Sequence, residues 1–138
     1  MIIVAFDFGI KNIGVAVGQN ITCTSNTSKS IYCKNGIPNW IIIKKFLQEW
    51  NPDIIIVGLP IEKNKKLKKI NKKVKKFAYD INKKFKIPVQ LHNEELSTKE
   101  AKSILFDQGG KKNLKKKKID ALSAIIILES WFFSIKKL

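Results

Sequence analysis

Asp7 closes a strongly apolar run and is followed by Phe8-Gly9, after which the chain turns straight into a second strand-like stretch, Asn12 to Gly18. A carboxylate at a strand end is a hard oxygen donor suited to Mg²⁺. Gly9 has no Cβ, so the backbone can turn sharply and a phosphate can come close to it. Lys11, in the same turn, is a candidate contact to the phosphate of the strand being cut. Alone, Asp before Gly is ordinary turn chemistry. Two further acids change the weight: Glu94, within Asn93-Glu94-Glu95, and Asp120, in the expected first turn of the closing helix. In open α/β sheets ligands bind outside the carboxyl ends of the strands. Asp7 and Glu94 leave two such ends if their strands are parallel, and the helix carrying Asp120 can lean its N-terminus over the same edge. Three acids so placed could hold one or two divalent cations, Mg²⁺ or Mn²⁺, that clamp a scissile phosphate and generate the attacking hydroxide. Taken singly, Asp120 would complement a helix dipole and Glu94 or Glu95 would be a solvated loop acid. The convergence is what argues for a metal site.

The elements that must position these acids are read from periodicity. Ile2 to Phe8 and Ile13 to Val17 are short strands joined by the Gly9 turn, and Ile21 to Tyr32 continues in strand-like residues, so a β-meander opens the fold. Trp40, Ile43, Phe46, Leu47 and Trp50 recur at helical spacing between Pro38 and Asn51-Pro52, predicting a helix from Pro38 to Trp50 with an early proline. Ile54 to Val57 is apolar on both faces, the pattern of a central parallel strand. A second helical stripe follows from Leu67 through Ile70, Val74, Phe77, Ala78 and Ile81, then a strand from Ile87 to Leu91. Ser97 and Glu100 form a capping box for a helix that Gly109-Gly110 closes. The last helix spans about Ile119 to Lys136 and is apolar nearly all round, so it is expected to lie against the sheet. The reading is a single α/β domain over residues 1–138: a mixed five-stranded sheet, β-meander then parallel strands, flanked by helices.

Composition narrows the partners. The 27 lysines, with no arginine, against 11 acids give a net charge of +16, which points to a nucleic acid or another polyanion. Lysine abundant together with Ile and Asn is also what AT-rich coding produces, so placement of the charge counts for more than its sum. Nine of the fourteen residues from Lys63 to Lys76 are lysine, a pattern equally suited to a solvated helix face. Six of the eight from Lys111 to Lys118 are lysine, and these lead directly into Asp120. Lys111, Lys112, Lys115, Lys116, Lys117 and Lys118, with Gly9 and Lys11, are therefore the nucleic-acid-binding candidates, contacting backbone phosphate without reading bases. Cys23 and Cys33 lack zinc-site spacing and are expected to be free thiols. The N-terminal run is too short for a signal peptide and the C-terminal run too short to span a bilayer, so a soluble, intracellular protein with no membrane partner is expected. The lone His92 and the three tryptophans are read as packing residues. A kinase reading of Asp-Phe-Gly fails because its upstream loops have no room before position 7, and an actin-like phosphotransferase would need two such lobes.

Asp7-Phe8-Gly9-Ile10-Lys11-Asn12-Ile13-Gly14-Val15-Ala16-Val17-Gly18, Gly58-Leu59-Pro60, Asn93-Glu94-Glu95-Leu96-Ser97-Thr98 and Ile119-Asp120-Ala121 together resemble the YqgF family, also called RuvX. The resemblance covers nearly the whole chain in order and spacing. It implies an RNase H-like fold and a bacterial cytoplasmic nuclease of 5′-end maturation of small-subunit (pre-16S) rRNA, a family formerly assigned to Holliday junction resolution. It also implies that Asp7, Glu94 and Asp120 form the acidic, metal-holding site, and that the RNA is met within pre-ribosomal particles. The chain departs from the family pattern at Ile10, usually Thr, and at Asn93-Glu94-Glu95, usually Asp-Glu-Arg. The segment from Ile61 to Lys65 replaces the usual Asn-Met-Asp-Gly. Asn93 brings no charge where the family has an acid, so such a site should hold Mg²⁺ more weakly unless Glu95, by a one-residue shift of the loop, substitutes for the lost carboxylate. The alternatives to an RNA nuclease are a junction resolvase acting on branched DNA, which needs two active sites and hence a dimer, and a catalytically weakened rRNA-binding assembly factor. The sequence leaves the oligomeric state open.

Overall fold

The computed structural model describes residues 1–9, 11–19, 24–34, 36–60, 64–93 and 116–136. Strands β1 (Ile2–Phe8), β2 (Asn12–Gln19) and β3 (Thr24–Lys34) form the expected antiparallel meander, followed by a two-residue strand β4 (Ile37–Pro38). Helix α1 (Trp40–Trp50), strand β5 (Ile54–Leu59), helix α2 (Lys65–Phe85), strand β6 (Val89–Asn93) and helix α3 (Lys116–Lys136) complete the described elements. The sheet order is β4-β3-β2-β1-β5-β6, with β5 parallel to both β1 and β6. The capping-box helix expected between Ser97 and Gly110 lies outside the described residues.

The sheet thus has six strands among the described residues rather than five. The addition, β4, holds only the Cys33↔Pro38 and Lys34↔Ile37 pairs, too short to leave an alternating pattern. Pro38 belongs to this strand and does not open α1. Asn39 caps the helix instead, its side chain accepting from the Ile42 amide at 3.3 Å. Asn51 closes α1 in the left-handed conformation at φ 46°. The strand expected from Ile87 begins two residues later, because Pro88 has no N–H to give the ladder. Its carbonyl still accepts from the Ile55 amide at 2.9 Å.

Alternation along β1 divides the interior. Val4, Phe6 and Phe8 pack with α1 and α2, while Ile3 and Ala5 pack with α3. Phe77 of α2 is the hub of the first layer, meeting Phe6 edge-on at 5.5 Å, Phe8 at 5.1 Å and Trp40 in a stacked arrangement at 5.8 Å. On the second face Ala124, Ile127, Leu128, Trp131 and Phe132 of α3 cover the sheet, as the apolar run predicts. Glu129, Ser130, Phe133 and Ser134 form its exposed flank. No helix among the described residues is long and apolar enough to cross a membrane.

Cys33 is a free thiol in the first layer, 2 % exposed, and burial pushes its pKa up to about 11; Cys23 lies outside the described residues. The unfolded thiol ionises near 9.0 and the folded one does not. Folding stability from this residue is therefore whole below pH 9.0 and declines as pH rises toward 11. At neutral pH, iodoacetamide should leave Cys33 unmodified in the folded protein and alkylate it in urea, read by peptide mass spectrometry.

Candidate functional site

Asp7 continues the α3-facing series of Ile3 and Ala5 to the carboxyl end of β1 and is half-buried. Its cross-strand partner in β2 is Gly14, and Gly14 pairs with Ser30 of β3. The row beside the acid is therefore nearly free of side-chain bulk. Asn12, two residues before Gly14 and on the same face by alternation, is a diagonal neighbour of Asp7, a relation that corresponds to roughly 7–8 Å.

The α3 side of the sheet carries polar atoms without partners among the described residues. Asn12 Oδ1, Ser30 Oγ and, on α3, Ser123 Oγ are buried with no hydrogen bond among the described residues. Asn12 is 8 % exposed and Ser123 1 %. An unpaired buried polar group costs about 1–3 kcal/mol, so such groups persist where something else completes them. A fourth, Asn71 Oδ1, sits on α2 and the site gives no account of it. Asn12 is a candidate that the sequence reading did not include. The available signal was a carboxamide at the first position of an otherwise apolar strand whose alternation turns it toward the acid.

The turn between Asp7 and Asn12 is tight. A Cβ on Gly9 would lie 2.5 Å from the Asn12 backbone oxygen. The Lys11 carbonyl accepts from the Cys33 amide at 2.8 Å, tying the turn to β3, and the Lys11 side chain is exposed. Gly9→Ala must therefore displace backbone rather than a yielding side chain, and should cost about 1–3 kcal/mol in a urea melt. Activity should fall further than stability, because the displaced Asn12 lies beside Asp7.

The strands carrying Asp7 and preceding Glu94 are parallel to a shared neighbour, as the placement of a common site requires. Glu94 and Glu95 lie outside the described residues, immediately after Asn93 at the end of β6. Asp120 is the fifth residue of α3, not part of its first turn, because Lys116, Lys117 and Lys118 enter the helix ahead of it. That lessens the helix-dipole explanation of Asp120, since the dipole effect fades within one turn. Lys111, Lys112 and Lys115 lie outside the described residues. His92, in β6, pairs its Nε2 with Ser130 Oγ at 2.9 Å, and burial lowers its pKa. Together with Trp131 Nε1 donating to Gln90 Oε1 at 3.3 Å, this contact fastens α3 to β6 and gives His92 the packing role expected.

Among the described residues no three His, Cys, Asp or Glu side chains gather in metal-binding range. What is described nevertheless suits a hard divalent cation: an anionic oxygen on Asp7, an amide oxygen on Asn12 without a donor, and a glycine turn with no side chain in the way.

The sequence profile of the RuvX family, described as Holliday junction resolvase, matches residues 1–134. A protein of Buchnera aphidicola subsp. Acyrthosiphon pisum (strain Tuc7), named "Putative pre-16S rRNA nuclease", is 51 % identical over 132 residues, covering 96 % of this chain and 98 % of its own. A protein of the same name from Haemophilus ducreyi is 48 % identical over 130 residues, covering 94 % of each chain. Among solved structures, T. thermophilus RuvC in complex with a Holliday junction substrate superposes with a TM-score of 0.65 at 14 % identity, over 99 % of this chain and 96 % of that one. The fowlpox virus resolvase bound to Holliday junction DNA gives 0.58 at 21 %, over 98 % and 99 %. The mixed sheet flanked by helices is thus the RNase H-like fold of the RuvC-type resolvases, as the sequence resemblance implied. With the profile matched from Met1 into α3 and relatives near half identical over almost their full length, the chain belongs to the RuvX family.

Proposed function

We propose that this protein is a metal-dependent nuclease that hydrolyses phosphodiester bonds in the 5′-end maturation of pre-16S rRNA, acting in the cytoplasm on RNA within pre-ribosomal particles. The observation that carries the reading is Asp7, half-buried at the carboxyl end of a central strand, beside a glycine turn and unpartnered buried oxygens, in a chain of net charge +16 belonging to the RuvX family. Asp7, Glu94 and Asp120 would hold Mg²⁺ or Mn²⁺, which supplies a nucleophilic hydroxide and charge neutralisation at the phosphate. Gly9 lets the phosphate approach the backbone, and Lys11 meets it from the turn. Asn12 holds its amide oxygen beside Asp7, where it can coordinate or orient a water. The lysines of 111–118 neutralise phosphates along the bound strand without selecting bases.

The Holliday junction reading is favoured by the description of the matching family profile as Holliday junction resolvase, in a fold shared with junction-bound resolvases. It requires two copies of the site in one particle. The altered Asn93-Glu94-Glu95 motif favours a weakened, RNA-binding assembly factor. Cleavage of an end-labelled pre-16S rRNA fragment and of a four-way DNA junction, side by side in Mg²⁺ or Mn²⁺, separates the three. Cutting of the RNA supports the proposal, preference for the junction overturns it in favour of the resolvase, and salt-sensitive binding without cutting leaves the assembly factor.

A further inference from the structure

The strand end that presents Asp7 on the α3 face presents Phe8 on the other. There Phe8 lies in the wall of a cleft of about 400 Å³ whose apolar lining is completed by Ile37, Pro38, Trp40 and Phe77. That volume is in the range of ligand-binding pockets, roughly 300–1,000 Å³. Ile37 is 65 % exposed at its mouth, an apolar side chain held open to solvent by the short strand β4. The polar part of the lining is three residues of α2: Lys73 and Lys76, one turn apart on one helix face, and Asp80 a further turn along.

We propose that this cleft takes one unpaired nucleobase of a single-stranded RNA, next to the phosphodiester presented at Asp7, with Lys73 and Lys76 on the flanking phosphates and Asp80 accepting from the base's amino group. The proposal rests on the nuclease reading for the position of the cut bond, and the cleft's own chemistry carries the rest. Apolar and aromatic walls suit a planar base, and a base stacked in a duplex cannot enter such a cleft, so the occupant is single-stranded. Two ammonium groups at the rim match phosphates, while the Asp80 carboxylate repels them and accepts N–H donors. Phosphates therefore stay at the rim and the base goes in. Because Asp7 and Phe8 are consecutive, a strand crossing the sheet edge can reach both faces within neighbouring nucleotides.

The test is equilibrium binding of fluorescent pentaadenylate RNA, by anisotropy, in EDTA so that no cutting occurs. Lys73→Glu with Lys76→Glu should weaken binding by about tenfold or more, whereas the charge-matched pair Lys72→Glu with Lys75→Glu, exposed on α2 outside the cleft, should cost less than about threefold. Ile37→Ser should weaken pentaadenylate binding and leave binding of a blunt RNA duplex unchanged. Pentauridylate, whose base has no amino group, should bind several-fold less tightly, and Asp80→Asn should narrow that difference. Equal losses from the two lysine pairs, equal binding of adenylate and uridylate, or duplex affinity falling with Ile37→Ser would each overturn the proposal. If the binding pattern holds but no substrate is cut in Mg²⁺, the nuclease reading fails and the cleft stands. Cutting without the binding pattern gives the reverse.

Discussion

Asp7→Asn should lower the rate of pre-16S rRNA cleavage by at least about a hundredfold, the scale on which removing one electrostatic contact to a reacting centre acts. The substitution keeps the shape of the side chain, so the β1 strand end and its packing should survive. What changes is the charge. A neutral carboxamide still offers an oxygen but holds a divalent cation far more weakly, and the cation is what the chemistry requires. In a chain of net charge +16, losing one acid should leave RNA affinity unchanged or slightly raised. The expected signature is therefore a lost rate with retained binding and an unshifted thermal melt. Retained cleavage would remove Asp7 from the site, and rate and melting temperature falling together would point to a structural role instead.

How far the site could be read in advance follows from what each residue must do locally. Asp7 stood out as a candidate because an acid at the end of an apolar strand, before a glycine, breaks the pattern of its neighbours, and the structure puts it at the carboxyl end of β1 as expected. The run Ile54 to Val57 announced a strand covered on both faces, and it lies between β1 and β6 as the parallel reading required. Asn51-Pro52 stopped α1 where expected, with Asn51 as its left-handed cap. Other features leave no local mark. A two-residue strand such as β4 has no periodicity, and Pro38 looked like a helix start because the Asn39 cap and a proline at the first turn give similar signals. Asp120 was set in a first turn because a lysine run reads as loop, yet Lys116 to Lys118 are helical. The candidacy of Asn12 appears only when the β1–β2 register brings it diagonally opposite Asp7. The cleft beside Phe8 depends on the end of β1, the junction of β4 with α1, and α2 meeting, three segments distant in sequence.

Phe77→Ala should be the most damaging single change to stability described here, about 3–5 kcal/mol in a urea melt, the usual cost of truncating a buried phenylalanine. Phe77 is 2 % exposed and meets three other rings, so the cavity it leaves is lined by aromatic groups that cannot all close on it. The effect should reach the chemistry as well. Two of those rings, Phe6 and Phe8, flank Asp7 in β1, so the strand end that aims the carboxylate at one face is anchored on the other face by Phe77. Loosening that anchor should lower the cleavage rate even at temperatures where the variant is fully folded by circular dichroism, because about 1 Å of misplacement at a reacting group costs on the order of a hundredfold. Phe77→Leu, which fills most of the volume, should recover the larger part of both losses. Ile43→Ala supplies the control: its side chain is fully buried on α1, which carries none of Asp7, Glu94 and Asp120, and truncation should cost about 2–5 kcal/mol. The ring contacts that anchor Phe6 and Phe8 are those of Phe77 and stay in place in this variant, so stability should fall with a smaller loss of rate in the folded state. If both variants lose rate in proportion to stability alone, the anchoring of Asp7 through Phe77 is wrong.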